Sequence, residues 1–186
     1  MLRKYIILIF IFVLCFYAVT YFKHQYLNNT IDNIGSIENT YNKIPANLRS
    51  KYKVEIEQII NEEFPYVIGN ANKSVNDAKN IHDKILKNGY NDDDFINLNL
   101  ISEVVLIGAD LQLYSKLMQI TQEKYLKIKY QPIPTDNSNA LYDYLYPYFK
   151  DNNIDTSKLE EINIYINKQQ AKIIKNYIED IYKYKK

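Results

Sequence analysis

The chain has 186 residues, a formal net charge of +1 and a hydrophobic fraction of 47%. This length accommodates a membrane anchor and one domain, but not an anchor and two ordinary domains. Because the charge is balanced, there is no basic excess of the kind that a nucleic-acid partner requires.

The first feature in chain order is an uncharged apolar run from Tyr5 to Phe22. Eighteen residues in a helix rise about 27 Å, close to the roughly 30 Å hydrocarbon core of a bilayer. The run lacks a good small-x-small cleavage site, and Cys15 follows Leu14 where an acylation signal needs a small residue. The pattern therefore predicts a retained transmembrane anchor over 5–22 in preference to a cleaved signal or a lipoprotein.

The charges on either side of the anchor predict its orientation. Arg3 and Lys4 lie before it, whereas Lys23 is the only basic residue close behind it. The positive-inside rule then places residues 1–4 in the cytoplasm. We expect a single-pass protein of the inner (cytoplasmic) membrane, with its C-terminal domain periplasmic or extracellular.

Beyond the anchor, apolar residues recur at three- and four-residue steps, which is typical of amphipathic helices. Proline residues and candidate caps divide this pattern into segments. In chain order we predict a helical stem over 23–44 that stops at Pro45, and then a helix over 46–64 that ends at Pro65. A third helix is predicted over 74–87, with Ser74 and Gly89 as its caps. A long buried helix over 95–129 follows, and the polar cluster 91–94 precedes its first turn.

The second half of the chain is predicted to contain two further helical segments after a proline-containing loop over 131–138. The first covers 140–149 and is interrupted by Pro147; the second begins with a capping box formed by Ser157 and Glu160. Its expected buried face consists of Leu159, Ile162, Ile166, Gln170, Ile173, Tyr177, Ile181 and Tyr184. The predicted fold is therefore all-α, with a single N-terminal transmembrane helix followed by an irregular multi-helix bundle over 45–186.

The residues available for catalysis or metal binding are few. Only His24 and His82 are present, and no zinc-type histidine pair or nucleophile-elbow motif occurs. The acidic cluster beginning at Asp92 lacks the glycine that an EF-hand requires at its sixth position. We interpret His82 as an ordinary surface histidine, and we expect no catalytic residue, no metal site and no cofactor.

Glu103 and Asp110 are candidate buried carboxylates, because they lie seven residues apart in an otherwise apolar stretch. Buried carboxylates cost free energy unless they are paired, and some are kept for acid–base or binding work. A narrow solvent-facing stripe on the same helix is the simpler interpretation. Two other interpretations are that the carboxylates belong to a paired structural network or that they form a catalytic pair.

The densest aromatic segment lies between Leu141 and Phe149. Leu141, Leu145 and Phe149 form a stripe at four-residue spacing, which is expected to face the core and leave several tyrosine rings at its margin. Exposed tyrosines favour protein interfaces, although packing at the margin of the core explains them too. The candidate partner contacts are Tyr142, Tyr144, Tyr146 and Tyr148.

Taken together, these features favour a membrane-anchored extracytoplasmic helical protein that acts through protein–protein interaction. It would be an envelope scaffold, an assembly factor or an immunity-type partner, and not an enzyme. A ligand-binding or sensor-like helical bundle is the main alternative. An envelope hydrolase that uses Glu103 and Asp110 ranks third.

Overall fold

The computed structural model describes residues 44–185. The predictions for the N-terminus 1–4, the anchor 5–22 and the stem up to residue 43 concern residues outside this range. Within it the chain is all-helical and contains no strand, as expected. Four helical segments follow one another: α1 (Ala46–Asn88), α2 (Asp92–Leu126), α3 (Ser138–Asp151) and α4 (157–182).

Helix α1 is one continuous helix of 43 residues, so the predicted division into two helices is wrong. Pro65 lies inside it without ending it, and the apolar residues on both sides, Ile60 and Val67, are buried. Their packing offsets the backbone hydrogen bond that proline cannot donate. Ser74 is not a cap, since its hydroxyl donates to the Asn70 carbonyl in mid-helix at 2.9 Å.

The junction between α1 and α2 agrees with the sequence pattern. Gly89 follows α1 with φ of 92°, and its N–H donates to the Ile85 carbonyl at 2.9 Å. Asn91 caps α2, because its side-chain oxygen accepts from the backbone N–H of Asp93 at 2.8 Å and of Asp94 at 3.2 Å. The acidic residues after the cap lie at the positive end of the helix dipole.

Helix α2 is irregular: π-helical segments occupy Ile101–Leu106 and Ile120–Leu126, and a turn at 107–110 separates its two halves. A π-turn places more residues in each turn, so every later side chain is rotated from its α-helical position. Leu106 is buried, whereas Val104 and Val105 are exposed. The prediction of a centre buried nearly all round is therefore wrong at these two valines.

Helix α3 begins at a side-chain cap, whereas Thr156, the residue before α4, makes no capping hydrogen bond with its side chain. Asn137 caps α3 by accepting from the Asn139 N–H at 2.9 Å, and α3 then continues through Pro147. Ser157 is the first residue of α4 and not its cap. Its N–H donates to Asp155 Oδ1 at 2.9 Å, so the predicted capping box is incorrect.

The buried face of α4 changes after its own π-helical segment, Ile164–Gln170. Before and within that segment the buried residues are the predicted ones, including Ile162 and Ile166. After it Ile174 is buried in place of Ile173, which is 37% exposed, and Tyr184 is 57% exposed. The extra residue in the π-turn explains the exchange of Ile173 for Ile174, whereas Ile181 further along is buried as predicted.

The core lies where α1 packs against α2 and α4, while α3 covers the second half of α2. Tyr52 is one polar group inside it that is paired: its hydroxyl and that of Thr121 are hydrogen-bonded at 2.9 Å, and its ring meets that of Tyr125 edge-on at 4.8 Å. Burial raises the pKa of Tyr52 well above its ordinary value. The largest fully enclosed side chains include Tyr52, Tyr114, Phe149, Ile56, Leu98 and Met118.

Candidate functional site

The predicted tyrosine contact surface on α3 is only half exposed. Tyr144 and Tyr148 are buried, 4% and 8% exposed, so their assignment as partner contacts is incorrect. At 100° per residue, positions 144 and 148 lie on the same side of the helix as the buried Leu141 and Leu145. Tyr144 also accepts a hydrogen bond from Gln122 Nε2 at 3.1 Å.

Tyr142 and Tyr146 lie on the outer side of α3 with ring centres 5.8 Å apart. Tyr146 is 45% exposed, while Tyr142 is half-buried because its ring contacts Tyr114 edge-on at 6.1 Å. Of the four predicted contact residues, these two are the ones that remain available at the surface.

Glu103 and Asp110 do not share a face, contrary to the seven-residue spacing. Glu103 is exposed, so it is not a buried carboxylate. Asp110 is fully buried, so the simpler interpretation of a solvent-facing stripe is wrong for this residue. The π-helical segment and the turn at 107–110 lie between them and break the regular helical register. The carboxylate of Glu103 therefore lies in water, and that of Asp110 lies in the core.

Asp110 is a buried carboxylic acid whose side chain lacks a hydrogen bond of ordinary geometry in the described range. Neither carboxylate oxygen has a hydrogen bond of ordinary geometry among residues 44–185. Burial raises the pKa of Asp110 above its ordinary value, and the nearby Ser138 side chain and a backbone N–H only partly oppose this. An uncompensated buried carboxylate destabilises the folded state.

We expect Asp110→Asn to raise the free energy of unfolding, and to raise it more at about pH 7 than at about pH 4. Because its folded pKa is raised, Asp110 holds its proton more tightly in the folded state than in the unfolded state. Stability is therefore lost as pH rises from the ordinary pKa through the raised one, and the asparagine abolishes this loss. Urea unfolding followed by circular dichroism measures it, with Glu103→Gln as the exposed control. An equal effect of both substitutions would contradict the interpretation.

His82 joins α1 to α4 and is not the surface histidine expected from sequence. It is 9% exposed, its Nε2 lies 3.0 Å from Asp180 Oδ2, and its ring lies 4.8 Å from that of Tyr177. The contact with His82, followed by that with Lys183, lowers the pKa of Asp180. This is a structural contact between helices, and residues 44–185 contain no group of side chains that could hold a metal ion.

The feature that sequence analysis missed is an exposed apolar stripe on the first half of α2. It consists of Ile96, Leu100, Val104 and Val105, which are 56%, 48%, 62% and 52% exposed. The first three follow one another at four-residue intervals and so lie along one side of the helix. The apolar period was visible in the sequence, but it indicated burial in the core.

Two grooves adjoin this stripe. One, of about 590 Å³, is bounded by the start of α2 and the end of α4 and includes Ile96 and Leu100 in its wall. The other, of about 430 Å³, lies between α1 and the middle of α2 and includes Val104 and Val105. Each residue of the stripe therefore also lines a groove.

The same helix has the length and composition of a membrane span. Within the described range, Asp92–Leu126 is the one helix that meets this criterion, and only 22% of its most apolar stretch is buried. Core helices of soluble proteins meet the criterion as well, but most of their residues are buried. The exposed stripe accounts for part of this low burial.

Comparison of the chain with known protein families, with curated proteins and with solved structures finds no match. The function must therefore be inferred from the surfaces of this molecule. Among these surfaces, the stripe on α2 is the one whose exposure sets it apart from ordinary packing.

Proposed function

We propose that this protein is a single-pass envelope protein whose extracytoplasmic helical domain acts by binding another protein. The observation that carries the proposal is the stripe on α2: four of the twelve large hydrophobic residues exposed in the described range lie within ten positions of one helix. Contiguous exposed apolar surface costs free energy in water and commonly marks an interaction site.

The charges that α2 itself carries beside the stripe favour a protein partner over a lipid surface. The lysines that line the adjoining grooves, Lys73 and Lys185, belong to other parts of the chain. Asp93 and Glu103 border it, both are exposed, and neither forms an ion pair among residues 44–185. Helices that lie on membranes instead carry lysine and arginine beside their apolar face. An acidic rim complements a partner with basic residues around an apolar centre.

The membrane attachment in this proposal rests on the N-terminal sequence. The uncharged run over 5–22 has the length of a span, and Arg3 and Lys4 before it favour a cytoplasmic N-terminus. An outward-facing domain on such an anchor meets partners confined to the envelope. The hydrolase alternative has less support, since Glu103 lines the larger groove and Asp110 lines neither groove.

The test combines site-specific cross-linking with substitution of the stripe. A photo-reactive residue at position 100 should cross-link a defined protein in native membranes, and a photo-reactive residue at position 54 should not. Val54 is 64% exposed on α1 but lies outside the stripe, so it is the matched position. Leu100→Ser with Val104→Ser should then abolish co-purification of the cross-linked protein.

The matched control for the double substitution is Val54→Ser with Tyr66→Ser, which removes two exposed apolar side chains of α1. Both double variants should melt like the wild type, because exposed positions contribute little to stability. Retention of the partner by the Leu100→Ser, Val104→Ser variant would refute the proposal. An equal loss of the partner by the Val54→Ser, Tyr66→Ser control would refute it as well.

A further inference from the structure

The larger groove holds a cation above aromatic rings. The ammonium of Lys185 lies 5.6 Å from the ring centre of Tyr90 and 5.4 Å from that of Phe95. The rings of Tyr90 and Phe95 are 5.7 Å apart, and Tyr182 meets Phe95 edge-on at 5.0 Å. An ammonium within about 6 Å of an aromatic face is attracted by the ring quadrupole.

The polar groups of this groove also suit a cation. The carboxylates of Asp92 and Glu103 line it together with the three rings. The buried Tyr90 hydroxyl has no hydrogen-bond partner of ordinary geometry in the described range. The proximity of Tyr90, and then of Asp92, raises the pKa of Lys185.

We propose that this groove is an ammonium-binding site for a lysine side chain of the partner protein, and that Lys185 occupies it in the unbound chain. The inference rests on the proposed function, because Ile96 and Leu100 belong both to the groove and to the stripe. A partner segment with a lysine beside apolar residues fills the groove and covers the stripe together. A small ammonium compound fills the groove alone and leaves Val104 and Val105 of the stripe in water.

The displacement of Lys185 has a modest cost. Lys185 is itself exposed and lies beyond the end of α4, so its exchange for another ammonium leaves the helices unchanged. The groove volume of about 590 Å³ lies within the range of ordinary ligand sites. The chain's own lysine therefore competes with the partner, and its removal tightens binding.

The experiment measures binding of a synthetic amphipathic peptide of leucine and lysine to the full chain by calorimetry. A maltoside detergent is used, because choline headgroups would compete for the site. We expect Lys185→Gln to tighten binding about two- to fivefold, the usual range for one exposed cation–π contact. Tyr90→Leu and Asp92→Asn should weaken binding by a similar factor, and Tyr66→Leu should leave it unchanged. Melting curves confirm that each variant is folded.

The same peptide with acetylated lysines is the decisive control, since it keeps the shape and loses the charge. Equal binding of both peptides, or no effect of Tyr90→Leu and Asp92→Asn, would overturn the inference. Binding of tetramethylammonium without any binding of the peptide would overturn it too. These outcomes leave the stripe test untouched: if Leu100→Ser with Val104→Ser still loses the native partner, the proposed function stands without the ammonium site.

Discussion

Replacing Tyr144 and Tyr148 together with serine is expected to lower the free energy of unfolding by at least about 3–5 kcal/mol, a large share of the roughly 5–15 kcal/mol that is usual for a domain. Both rings lie in the core with centres 6.0 Å apart, and serine leaves a cavity at each position. Gln122 also loses the hydroxyl to which it donates. Chemical denaturation followed by circular dichroism measures the loss.

The control uses the two outward tyrosines of the same helix. Tyr142→Ser with Tyr146→Ser removes the same number of rings but should cost at most about 1 kcal/mol, because Tyr146 is 45% exposed and Tyr142 is half-buried. Equal destabilisation by both double variants would show that α3 does not turn Tyr144 and Tyr148 toward the core.

Gly108→Ala is expected to lower the free energy of unfolding by about 1–3 kcal/mol. A Cβ atom at this position would lie 2.7 Å from the carbonyl oxygen of Val104, closer than real Cβ contacts allow. The obstacle is backbone, so no rotamer change relieves it. The turn that joins the two halves of α2 must shift instead, and it holds the buried Asp110.

Gly69→Ala supplies the opposite control. Gly69 lies inside α1, and a Cβ atom there would meet nothing within 4 Å. Alanine in a helix interior is more stable than glycine by about 0.5–1 kcal/mol, so this variant should melt at a higher temperature than the wild type. A loss of stability in Gly69→Ala would contradict the open space at Gly69. An unchanged stability in Gly108→Ala would contradict the close backbone contact at Gly108.

The helical class and several boundaries could be derived from sequence, because they depend on neighbours close in the chain. The apolar recurrence at three and four residues predicted helices throughout the described range. Gly89 and Asn91 were recognisable as helix ends, since a positive φ and an accepting side-chain oxygen are local requirements. Leu141, Leu145 and Phe149 were predicted to face the core, and they do.

Only the tertiary structure decided which way the remaining side chains face. Pro65 stays within a helix because the residues around it pack against other segments. The π-helical segments and the turn at 107–110 break the regular helical register, so Asp110 is buried although Glu103 is exposed, and Ile174 replaces Ile173 in the core. The larger groove brings Tyr90 and Lys185 together from distant parts of the chain. A periodic pattern identifies a face of a helix, but the partner of that face, or its absence, is set by the packing of the whole bundle.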